Sequence, residues 1–89
     1  MDGTDEHLAR VERVRRRHSG RLMRLANVVG VGVGLRRRGG QALNEVALVV
    51  LVSRKVAPEE LAPGDRIPTE IEGVPVDVVA VGEVTADSG

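Results

Sequence analysis

The order of apolar and polar positions divides this chain into one helical stretch followed by a series of strands. Leu8, Val11, Val14, His18, Leu22 and Leu25 recur at intervals of three and four residues. That spacing gathers side chains on one side of an α-helix. Arginines cover the remaining sides. Thr4 is placed to cap the helix, and Asp5 and Glu6 fall in its first turn, where negative charge meets the positive dipole end. Asn27 is a suitable exit. Gly20 sits inside the stretch and costs about 1 kcal/mol relative to alanine, so a break near Ser19 and Gly20 is expected.

The periodicity then changes. In Val29-Gly30-Val31-Gly32-Val33-Gly34-Leu35, strand geometry sends Val29, Val31, Val33 and Leu35 to one face and leaves Gly30, Gly32 and Gly34 on the other. A face without Cβ atoms admits close approach by a helix, a backbone or a ligand. The expected strand runs from Val28 to Arg37, Gly39, Gly40 and Gln41 turn the chain, and a second strand runs from Leu43 to Val56. Together they form an antiparallel hairpin. Val46 to Val52 is apolar without interruption, which predicts burial on both faces, as in a central strand or one covered by a partner.

Pro58 opens a short helical turn, Pro63-Gly64-Asp65 is a turn, and Ile67 to Glu72 is extended. Gly73 reverses the chain into a last strand, Val74 to Val81, in which Pro75 belongs at the start or on an edge because it lacks a ladder donor. The fold class is α+β: one long N-terminal helix packed on a small mixed β-sheet, in the order α-β-β-short α-β-β. If the helix covers the sheet, the glycine face is where its backbone is expected to approach. Residues 1–89 read as one small domain, with 1–3 and 85–89 as flexible ends.

Composition adds a constraint. The chain has no Phe, Tyr, Trp or Cys, so neither aromatic bulk nor a disulfide supports the core. Burial against a second copy or a partner domain is the expected source of further stability. Formal charge is zero but unevenly spread: residues 1–38 hold ten arginines against four acids, and residues 39–89 hold three basic residues against nine acids. No apolar run approaches a membrane span and no signal-peptide core is seen, so a cytoplasmic protein is expected.

Candidate chemistry is sparse. A dinucleotide fingerprint needs glycines in a turn that leads into a helix, whereas these alternate with valine inside a strand and read as a packing feature. Neither His7 nor His18 forms a base–nucleophile–acid set with Ser19, Ser53 or Ser88, although Asp77 is expected near Ser53. Two histidines do not make a metal constellation. The expectation is therefore a protein that is not an enzyme and takes no cofactor or metal. The arginines are the stronger functional signal. Arg13, Arg16, Arg17, Arg21 and Arg24 line the helix, and Arg36, Arg37 and Arg38 cluster at the hairpin. Such surfaces suit a polyanion through counterion release, but no aromatic side chain is present to stack on a base.

Several segments taken together resemble a known module. They are Asn27 to Gly34, the strand ending Val52-Ser53-Arg54-Lys55, Leu61-Ala62-Pro63, and Ile67-Pro68 followed by Ile71-Glu72-Gly73-Val74-Pro75-Val76-Asp77-Val78. They resemble the N-terminal accessory module of bacterial trypsin-like serine peptidase homologues, over residues 20–84. The chain ends where the peptidase domain would begin, so the resemblance implies a free-standing module and carries no catalytic residue onto it.

The functional expectation is a self-association or protein-docking module that forms a homo-oligomer. Its interface is expected at Gly30, Gly32 and Gly34 and at Val46, Leu48, Val50 and Val52. The alternatives are a regulator or inhibitor-like partner of a trypsin-like peptidase, implied by the resemblance, and a binder of nucleic acid or another polyanion through the arginine helix.

Overall fold

The computed structural model of the protein describes residues 3–38 and 41–82. The expected turn at Gly39 and Gly40, and the ends at residues 1–2 and 85–89, lie outside them. The first element is helix α1, Gly3–Leu22. Strands β1, Val28–Arg38, and β2, Gln41–Val52, follow. Two 3-10 turns, Pro58–Glu60 and Pro63–Asp65, occupy the place of the expected short helix. Strands β3, Glu70–Ile71, and β4, Val74–Ala80, complete the fold. The sheet runs in the order β1-β2-β4-β3. β1 and β2 are antiparallel, β2 and β4 parallel, and β3 and β4 antiparallel. The protein is thus α+β, one long helix on a small mixed sheet, and the apolar strand β2 is central.

The helix buries one stripe against one face of the sheet. Val11, Val14 and Leu22 of α1 pack with Leu48, Val50 and Val52 of β2 and Val74 of β4, all of them buried. Val31 and Val33 of β1 and Val76 and Val78 of β4 flank this core. Leu8, at the outer limit of the stripe, is exposed.

The structure departs from several expectations, each for a local reason. α1 starts at Gly3, so Thr4 lies inside the helix rather than at its cap. No break occurs at Ser19 or Gly20. Gly20 faces open space, while Val14 and Leu22 on either side of it are held in the core. The helix ends at Leu22, and Asn27, in the left-handed region at φ 69°, turns the chain into β1. β2 ends at Val52 rather than Val56, because Ser53 donates its N–H to the Asn27 carbonyl at 2.8 Å and the chain then leaves the sheet.

The facing of β1 also differs. Val28 pairs with Val52 and Gly30 with Leu51, so one extra residue forms a bulge. The bulge places Val28 in the core and leaves Val29 52% exposed. Leu35 keeps the face of Val31 and Val33, in register with Val46, but is exposed. The helix lies on the valine face, not the glycine face, because the valines supply the apolar area that its own stripe must cover.

β4 begins as its proline requires. Pro75 pairs opposite Glu70 just before the parallel ladder opens at Val76. Glu72 and Gly73, at φ 50° and 80°, join β3 to β4. Positive φ at both central residues is the hairpin turn whose twist matches that of the flanking strands.

Two substitutions test this packing in opposite directions by urea unfolding. Leu48→Ala, at a fully buried site, is expected to cost about 2–5 kcal/mol. Gly20→Ala, in open space on the helix, is expected to gain up to about 1 kcal/mol.

Candidate functional site

Because α1 covers one face, the alternate residues of the same strands form an open face on the other side of the sheet. Register fixes its composition. Gly30, Gly32 and Gly34 of β1 lie opposite Leu51, Val49 and Ala47 of β2, and Val49 and Leu51 lie beside Asp77 and Val79 of β4. Val49, Leu51 and Val79 are half-buried, with no element of the described chain packed over them. The glycines form a lane without side chains, and the neighbouring strand leans over it. A Cβ at Gly30 would lie 3.2 Å from Leu51 Cδ1, and one at Gly34 would lie 3.2 Å from Val49 Cγ2. Gly32 has nothing within 4 Å of that position. The face is therefore a shallow, largely apolar depression with open space above Gly32.

At one end Arg36 Nη1 donates to Glu45 Oε1 at 3.0 Å, a cross-strand ion pair between β1 and β2. β1 is one of the two edge strands; it carries a bulge between Val28 and Gly30, and its register with β2 shifts again between Leu35 and Arg37, where the extra residues lie on β2. Such irregularities and terminal charge blunt an edge against further strand pairing.

A second polar cluster lies where α1 meets the β3–β4 turn. Arg17 Nη1 donates to Glu72 Oε1 at 2.7 Å, and His18 Nε2 donates to Oε2 at 2.7 Å. Arg10 Nη2 donates to the Glu72 carbonyl oxygen at 2.9 Å. Arg21 Nη2 donates to His18 Nδ1 at 3.1 Å. A guanidinium only donates and a carboxylate only accepts, so these two partners select the tautomer of His18 with hydrogen on Nε2. The cluster holds a left-handed, non-glycine residue, a conformation that costs free energy unless its surroundings enforce it. It acts as a clamp between the helix and the turn.

The structure sorts the expected site residues into three groups. Gly30, Gly32 and Gly34 are on the open face. Leu48, Val50 and Val52 are buried under α1 and Val46 packs beside them, so these four belong to the core and the outward set is Val49 and Leu51. The arginines do not share one surface. Arg17 and Arg21 are engaged around Glu72 at the β3 side of the sheet, and Arg36 lies on β1 at the opposite edge. Arg13, Arg16 and Arg24 are exposed; the side chains of Arg37 and Arg38 lie outside the described residues. Asp77 is in register with Val49 rather than near Ser53, and no group of three potential metal ligands occurs among the described residues. Sequence reasoning missed the clamp. Its one local signal was Glu72-Gly73 at a turn position, and its partners lie more than fifty residues away along the chain.

Fold and surface together define a two-layer α+β module with one apolar sheet face open. The family model of the NARROW LEAF 1 N-terminal domain matches residues 5–84, and the chain belongs to that family. No curated protein matches the chain. The family match contains the whole span on which the resemblance to an accessory module of bacterial trypsin-like serine peptidase homologues rested, and it overturns that assignment.

No described helix is long and apolar enough to cross a membrane. Electrostatics at the clamp give a pH dependence. The His18 hydrogen bond, with the charge and hydrogen bond of Arg17, holds the Glu72 carboxyl below the ordinary carboxylate range. A carboxyl depressed in the folded state stabilises above its unfolded pKa, and that contribution disappears as pH falls through the folded value. The melting temperature of the wild type should therefore exceed that of Glu72→Gln near neutrality, and the gap should close as the pH falls from about 5 through the depressed folded-state pKa of Glu72. A gap of constant size across that range would show that the ionised carboxylate does not clamp the turn.

Proposed function

We propose that this chain is a non-enzymatic docking module that associates with a second copy of itself through the open face of its sheet. The observation that carries this reading is the apolar character of β2 on both faces, with only one of them covered by α1. Strands that read as continuous apolar runs and pair in parallel are ordinarily covered on both sides. In an aromatic-free core of this size, covering the second face adds stability that the chain does not supply alone.

The shape of the face favours a second copy as the occupant. A lane of glycines on β1 lies beside a ridge of Val49 and Leu51 on β2. A two-fold axis in the plane of the interface, parallel to the strands and midway between lane and ridge, sets the ridge of each copy over the lane of the other. This is the self-matching geometry of an isologous dimer, with two sheets packed in nearly aligned fashion.

Gly32→Glu tests the reading without endangering the fold, because a Cβ there meets nothing and the backbone is not left-handed. Light scattering across concentration should report a dimer for the wild type that resists high salt, and for Gly32→Glu a monomer that keeps the wild-type circular dichroism but melts at a lower, concentration-independent temperature. A wild type that stays monomeric up to ~1 mM, a concentration at which even weak specific contacts are populated, would remove the proposal.

A further inference from the structure

We propose that a cavity at the carboxyl ends of β2 and β4 binds an amphipathic carboxylate, a short apolar tail that ends in one negative charge. Because β2 and β4 are parallel, both carboxyl ends lie at the same end of the sheet. The crevice outside such strand ends is where open sheets seat ligands. Here the chain leaves β2 at Ser53, passes through the two 3-10 turns and returns to β3, and it arches over this end. The space beneath the arch is a cavity of ≈ 260 Å³.

Its walls fit a hydrocarbon. Val52, Val56, Leu61, Ile67 and Val78 line it, and no aromatic side chain exists in the chain to fill it. Its charged lining has one sign. Arg54, Lys55 and Arg66 line the cavity and no acidic side chain does. Arg54 and Lys55 are exposed and make no ion pair with a described residue. Arg66 is held in place by its Nε, which donates to the Pro58 carbonyl at 2.8 Å. Of the acids of the arch, Asp65 lies beside the lining with its carboxylate accepting the N–H of the lining residue Ala26 at 3.3 Å, and Glu59 and Glu60 are exposed outside the lining. An apolar interior with a small number of convergent charges is the general form of a small-molecule site. A carboxylate is the head group that suits a guanidinium fork beside an ammonium.

The cavity opens on the helix side of the sheet, where Val52 and Val78 pack with the core, so this proposal does not depend on association through the opposite face. The test is an amide-resolved NMR titration of the whole chain with octanoate, octanol and acetate, repeated on the double variant Arg54→Ser, Lys55→Ser. Octanoate should saturate with shifts centred on Val52, Leu61, Ile67 and Val78, bind about fivefold more tightly than octanol, and bind roughly a hundredfold or more tightly than acetate, which lacks the methylenes of the tail. The double variant should keep the wild-type spectrum and lose about fivefold in octanoate affinity. Octanol equal to octanoate would show that charge is not read. Acetate equal to octanoate would show that the tail is not read. Either result, shifts centred elsewhere, or unchanged affinity in the double variant would overturn the proposal.

Discussion

The contact between α1 and the valine face of the sheet is what the remaining structure depends on. Val11, Val14 and Leu22 have no aromatic neighbours to share the burial, so they meet Leu48, Val50, Val52 and Val74 directly. A single helix covers a single face, and a four-stranded sheet has two. The choice of face therefore determines both what is core and what is surface. It consumes the even-numbered positions of β2 from Val46 to Val52 and leaves Val49 and Leu51 outward.

The same contact aims the polar groups. With the stripe of α1 facing the sheet, Arg10, Arg17 and His18 reach the turn between β3 and β4 and close on Glu72. A turn that requires positive φ at a glutamate is unfavourable alone, and three side chains from a distant element hold it. The clamp in turn ties the β3–β4 turn to the helix. Open face and clamp are two consequences of one packing decision.

Membership of the NARROW LEAF 1 N-terminal domain family accounts for nearly the whole chain as one unit. The local features behind the earlier resemblance, such as the valine–glycine strand and the Glu72-Gly73 turn, are real structural features, but short motifs of β-strand and turn recur across unrelated modules. In this chain they form a strand and a tight turn. The arginines show the same limit: a linear count suggests one basic surface, whereas the strand order sets Arg36 and Arg17 at opposite sides of the sheet.

Local rules sufficed for the elements themselves. Three- and four-residue spacing marked α1, an unbroken apolar run marked β2 as central, and Pro75 and Gly73 marked where β4 begins, because helix period, strand burial and backbone restriction act over a few neighbouring residues. The glycine alternation likewise announced a bare face before any fold was known. Tertiary structure decided which face the helix takes, that a bulge turns Val29 outward, and that Glu72 gathers Arg10, Arg17 and His18. Each of these is set by residues that lie far apart in the chain and meet only after the sheet has ordered, and no window of neighbouring residues contains that information.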